Sequence, residues 1–324
     1  MNMEKHVWKP NVRFGLANMI DAEINEYEWM NPGSITDIRR GKEILVACDF
    51  GGQHRYSAYH SYAFLLANIS EIAEWDEHRK KFRTEILGDS RRISFKGFRN
   101  SRGIQVLERF LKVANYLPGL LTIFVISKQL GRLLSSRPES NKFPELVYPE
   151  RRWNKRSFDR LSLVGHLGSL LVGGLCGAGQ DILWATDQDE IAPNPEKHDH
   201  AGWVLWHYLN KYAPQLTGKL VFVTTEADLG KRRLEDAVSV ADVAAGGFAD
   251  ALTQMRHEIG GVIEEVAVPI TNKFKKKTFT ILDWLGESNC PLAKLCVIVE
   301  NDPTLGIKVS AVRPMMLCPR PHQG

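Results

Sequence analysis

Three aspartates stand at positions where a carboxylate is costly, and the chemistry they could do comes first. Asp49 ends the apolar run "ILVAC" and is followed by Phe50 and the pair Gly51-Gly52. Asp187 closes a second apolar run, "DILWATDQD" (181–189), with Asp189 two residues on and on the same face if the strand continues. Asp242 lies inside "VSVADVAAGGFADAL", where Val238, Ala245, Gly246 and Ala249 share its face by three- and four-residue spacing. An acid on such a face is costly to bury unless it is paired or metal-bound. Hard divalent cations take oxygen ligands, so carboxylates converging from separate elements are what metal-assisted phosphodiester chemistry requires.

Each of these residues also has an ordinary reading. Asp49 would serve as a cap for the Gly51-Gly52 turn, Asp187 as a plain strand-ending acid, and Asp242 as the partner of a buried Arg or Lys. Lys96, between Phe95 and Gly97, could hold a phosphate as a point charge or sit as an edge-strand lysine. In "KHDH" (197–200) the two histidines are spaced by two and do not share a helix face, so a helix N-terminus capped by Asp199 is the better reading than a metal pair.

The elements that must position these residues follow from pattern. Strands are expected at 44–50, 56–68, 92–98, 120–127, 181–189 and 219–226. Helices are expected at 71–87, 103–117, 157–178, around 199–212 and around 234–256. A loop with many Arg, Pro and Ser residues spans 131–156. Strands in meander order followed by strands alternating with helices predict a mixed α/β sheet with helices on both faces. The tail ("GGVIEEVAVPI", "KLCVIVEND", "GIKVSAVRP") reads as a small C-terminal β appendage, with 302–306 as a turn. The expected division is an N-terminal extension over 1–41, a main domain over 42–256, and the β-rich appendage over 257–324.

Composition narrows the class. The chain has 324 residues, 44% apolar and 25% charged, which is ordinary for a water-soluble globular protein. Its net charge of +4 is compatible with a polyanionic partner without demanding one. Five cysteines with no C-x-x-C spacing suit a reducing compartment and give no support for zinc. The segment 161–179 is uncharged over a membrane-like length, but its six glycines and His166 favour a buried helix over a span. A cytoplasmic location with no membrane association is expected. The runs "RRWNKR" (151–156), "GKRR" (230–233) and "KFKKK" (273–277) are candidate phosphate-backbone contacts or solvated loop cations.

The ordered set D-F-G-G (49–52), S-F-K-G (94–97), A-T-D (185–187) and S-V-A-D-V-A-A-G (239–246) resembles the RNase H-like superfamily. More narrowly, it resembles a bacterial family of uncharacterised domains with D-E-S-G, E-L-K-G and L-Q-x-A-D-x-x-A-G motifs. The resemblance covers about residues 44–250. It implies a divalent-metal nuclease on an RNase H-like fold, using Mg²⁺ or Mn²⁺ and acting on nucleic acid. Asp49, Asp187 and Asp242 would take the places of the family acids, and Lys96 that of its lysine. Phe50 and Gly51 depart from the first motif, so one ligand is either missing or supplied by Asp189 or Glu190.

Two other classes stay open. One is a non-catalytic RNase H-like scaffold that binds a protein partner or a second copy of itself. The other is an ATP-dependent phosphotransferase of the actin-like type, whose D-x-G-G-T turn D-F-G-G also resembles. Gln53 stands in place of the Thr, and no second such strand follows.

Overall fold

In the computed structural model, the described residues are 6–9, 15–88, 91–131, 133, 153–215, 218–228, 230–259, 267–270, 274–304 and 306–316. Eight strands form one sheet: β1 (Glu43–Gly51), β2 (Tyr59–Asn68), β3 (Gly119–Ser127), β4 (Asp181–Thr186), β5 (Leu220–Thr224), β6 (Ala267–Ile270), β7 (Leu292–Asp302) and β8 (Gly306–Met316), in the order β5-β4-β1-β2-β3-β7-β8-β6. The first three run antiparallel as a meander. β4 and β5 then add parallel on the far side of β1. The C-terminal strands continue the same sheet, because β7 pairs parallel with β3 and β8 returns antiparallel beside it.

Among the described residues seven helices flank the sheet: α1 (Gly15–Met30), α2 (Ala73–Phe82), α3 (Ser101–Ala114), α4 (Lys155–Leu175), α5 (Pro195–Tyr212), α6 (Arg233–Ile259) and α7 (Lys276–Gly286). Strand alternation divides them into two layers. Leu45, Ala47 and Ala185 point into a core with Val238, Ala241, Ala245 and Phe248 of α6, together with side chains of α2, α3 and α7. Ile44, Val46, Cys48, Ile182 and Trp184 point the other way, into a core with α1, α4 and α5. Both faces are covered, which is why β1 and β3 read as unbroken apolar runs. This is the mixed α/β sheet with helices on both faces that the pattern predicts.

Four local expectations change. Residues 92–98 do not form a strand: the segment is irregular, with a 3-10 turn at Phe95–Gly97. α5 is capped by Asn194, whose side chain accepts from the Lys197 N–H at 2.9 Å, with Pro195 in the first turn, so Asp199 is not the cap. Helices α1 and α7 arise where no helix is expected; α7 begins within the basic run and buries Thr278, Ile281, Leu282, Trp284 and Leu285 along one face. The 131–156 loop lies largely outside the described residues. Residues 161–179 fall mostly within α4, which is buried along most of its length. Among the described residues no helix is long and apolar enough to cross a membrane.

α6 is anchored at its start by an ion cluster. Asp236, 1% exposed, accepts from Arg79 Nη1 at 3.0 Å and from Arg83 Nε at 2.7 Å. These bonds tie α2 and the turn after it to the helix that carries Asp242. Asp236→Ala would leave two guanidinium groups without their shared carboxylate, which should cost about 3–5 kcal/mol in chemical denaturation. Retention of wild-type stability would show that the cluster is not an anchor.

Candidate functional site: an acidic cleft at the sheet end

Strand parity decides where Asp49 points. It follows Leu45 and Ala47 on the α6 face, and it sits at the last turns of a strand that ends at Gly51. The register of β1 and β4 pairs Cys48 with Thr186, so Asp49 and Asp187 come next at the same level of two adjacent parallel strands. Neighbouring strands lie about 4.8 Å apart, which brings the two backbones together by construction. In open α/β sheets such carboxyl ends of strands are where ligands bind.

The third acid arrives from above. The α6 side chains Val238, Ala241 and Ala245 pack on this sheet face, and Asp242 lies within that stretch. Gly246 is one turn on, and a Cβ built there would meet the Phe95 ring at 2.4 Å. The missing side chain lets Phe95 lie against the helix, where its backbone N–H donates to Asp242 Oδ2 at 2.7 Å. The S-F-K-G segment is therefore a loop laid on α6, and it presents Lys96 to the cleft.

A cleft of about 580 Å³ results, lined by Asp49, Asp187, Asp189, Asp242, Arg92 and Lys96 among others. All five residues singled out from the sequence thus line one space. Asp49 and Asp242 are both half-buried. Burial, and then the charge of Asp242, push the Asp49 carboxyl well above the usual range, against one backbone bond from the Phe50 N–H at 2.6 Å. Burial also raises Asp242, opposed by the Phe95 N–H and by the charges of Arg92 and Lys96. Asp189, which accepts from the Ile191 N–H at 3.0 Å, is raised to about 6 chiefly by burial. Asp187 is different. Its Oδ2 forms a close ion pair with Arg92, and its Oδ1 accepts from Thr225 Oγ1 at 3.2 Å.

Sequence reasoning missed three contributors. Arg92 came from a segment read as strand. Asp250, two turns past Asp242, also lines the cleft and accepts from Thr278 Oγ1 of α7 at 2.6 Å. Lys277 of α7 lies 3.6 Å over the Phe95 ring and donates to the Phe95 carbonyl at 3.2 Å. The C-terminal segment thus clamps the loop that holds Asp242. The only advance signal was the run "KFKKK", in which Lys277 stands one residue before Thr278. In "GKRR", Arg232 is committed to Glu235 at 2.7 Å.

The donor set has the right chemistry for a hard cation: carboxylate oxygens, mutually repelling and partly dehydrated. It is not a ready-made cage. Among the described residues no group of three or more His, Cys, Asp or Glu side chains is placed to hold a metal ion.

No protein-family model matches the chain, and no curated protein matches it. Among solved structures, ribonuclease H2 from Pyrococcus horikoshii OT3 is similar at a TM-score of 0.35 and 11% identity, over 75% of this chain and 85% of that one. A likeness at that level leaves the chemistry to be read from the side chains.

The raised carboxyl of Asp49 carries a stability consequence. A carboxyl whose folded pKa exceeds its unfolded one imposes no cost below the unfolded value and destabilises the fold as pH rises through the folded value. Asp49→Asn should therefore raise Tm by about 2–4 °C at pH 8 and by nothing measurable at pH 4. Thermal melts at the two pH values check it; an equal or lower Tm for the variant at pH 8 would contradict the repulsion described here.

Proposed function

We propose that the chain is a divalent-metal-dependent phosphodiesterase acting on nucleic acid. The observation that carries this reading is the meeting of Asp49, Asp187, Asp189 and Asp242 in one cleft with Arg92 and Lys96 at its side. Asp49 and Asp242 are the pair that would hold Mg²⁺ or Mn²⁺, joined by Asp187 and Asp189. When bound, such an ion supplies an activated water and neutralises charge on the phosphoryl oxygens.

The chain's own residues do the rest. Lys96 is exposed and lines the cleft, so it meets a backbone phosphate as a point charge. Arg92 would be the bidentate partner for the same group, exchanging the Asp187 carboxylate for the phosphate and so freeing Asp187 as a further oxygen donor. Asp242 is oriented by the Phe95 N–H, and that loop is in turn held by Lys277. Neither a nucleophilic side chain nor a covalent intermediate is required.

The Arg92–Asp187 ion pair also favours a second reading, a non-catalytic RNase H-like scaffold in which the guanidinium stands in for a cation. Cleavage assays separate the two. With labelled DNA and RNA, single- and double-stranded, the wild-type chain should cut at least one substrate in Mg²⁺ or Mn²⁺ and none in EDTA. Asp49→Asn and Asp242→Asn should each lower the rate at least a hundredfold while keeping a cooperative melt. Cleavage unchanged in both variants removes the metal-site reading, and no cleavage of any substrate by wild type leaves the scaffold.

A further inference from the structure

On the opposite face of the sheet from the acids, but at the same end, lies a second cavity of about 450 Å³. Parity places it there: His60 and Tyr62 of β2 lie on the α4 side with Phe64 and Leu66, whereas Asp49 lies on the α6 side. Its apolar part includes Tyr62, Ile126, Leu133 and Leu163, and its cations are Lys155, Arg156 and Arg160. Asp159 is the one acid in the lining among the described residues.

Three features make this more than a solvated basic surface. First, Lys155 and Arg156 occupy the first turn of α4, which carries no acid. Cations there oppose the positive end of a 21-residue helix, so they cost stability and add to a field that already favours an anion. Second, Arg160 is 5% exposed, fixed by an ion pair with Glu190 and stacked over the Phe50 ring at 4.8 Å. A held guanidinium in a cavity wall is a preorganised donor. Third, the positive charges act on one another. Lys128, Arg160 and Arg156 add to burial in pushing His60 down to about 4, and Arg156 also lowers Lys128. Against these cations the described lining offers Asp159, with Glu190 held on Arg160, and an anion would relieve the repulsion that remains.

We propose that this cavity is a nucleotide-phosphate site, separate from the acidic cleft, in which Lys155 and Arg156 bind the phosphate, Arg160 supports it from the wall, and the sugar and base lie on Tyr62, Ile126 and Leu163. An apolar floor with a few convergent charged groups suits a small organic phosphate better than inorganic phosphate. The ligand's phosphate comes from a free nucleotide or from the 5′ end of a strand. Lys128, whose charge acts on His60 of this cavity, donates from Nζ to the carbonyl of His54, a residue that lines the acidic cleft.

The inference does not rest on hydrolysis, and its test is made in EDTA so that binding alone is read. Calorimetric titration of the full-length chain would use adenosine 5′-monophosphate, a 5′-phosphorylated trinucleotide, and adenosine as the uncharged control. At least one phosphate probe should bind ten times or more tighter than adenosine. The exposed-residue variant Lys155→Glu/Arg156→Glu should weaken that binding at least tenfold while melting cooperatively at or above the wild-type temperature, and Asp49→Asn should leave the binding intact. Binding of the monophosphate identifies a free nucleotide as the ligand; binding of the trinucleotide alone identifies a strand end. Equal affinity for adenosine, absence of binding by both phosphate probes, or full binding by the double variant would each overturn the proposal.

Discussion

Carboxylates placed together where water is scarce repel one another, and that repulsion is the constraint around which this fold is arranged. Asp49 and Asp187 are brought level by the parallel pairing of β1 with β4, and Asp242 is set over them by α6. Burial and the Asp242 charge both work against an ionised Asp49. A cost of this kind persists in a stable protein only where surrounding structure over-determines it. Here the supports are specific: the Asp236 ion cluster at the start of α6, the Phe95 N–H on Asp242, and Lys277 over the Phe95 ring.

Those supports give the C-terminal segment a part in the site. β7 extends the sheet from β3, and α7 packs beside α6, so Lys277 and Thr278 reach the loop at Phe95 and the carboxylate of Asp250. The same sheet end thus carries two chemically opposite surfaces. Acids gather on the α6 side and cations on the α4 side, divided by the sheet and bridged by the turn after β1. Gly52 makes that turn with φ +77°, and a Cβ there would lie 2.1 Å from the Tyr59 carbonyl oxygen.

Much of this was legible in the residues, for identifiable reasons. Apolar runs that end in an acid mark the strands, and a carboxylate inside a helix of small residues marks the face that meets the sheet. Asp49, Asp187 and Asp242 could be chosen that way because each ends or breaks a local apolar pattern, and Asp189 followed from sharing a strand face with Asp187. The segment 92–98 was misread because Ile93, Phe95 and Phe98 resemble a short strand, whereas their burial comes from packing on α6 and α3 across long sequence separations. α7 was hidden because it opens in a lysine run, and Lys277 of its first turn meets Phe95, far away in the chain. Arg92 carries no local signal at all: its role depends on pairing with Asp187, ninety-five positions later.

The proposed function requires the acidic cleft to bind a divalent cation. The most direct measurement is a crystal of the full-length chain soaked in Mn²⁺, with anomalous scattering collected at the manganese edge. An anomalous peak within coordination distance (about 2.2 Å) of the Asp49 and Asp242 oxygens is the result expected. A cleft with no such peak at millimolar Mn²⁺, with Arg92 still seated on Asp187, would contradict it.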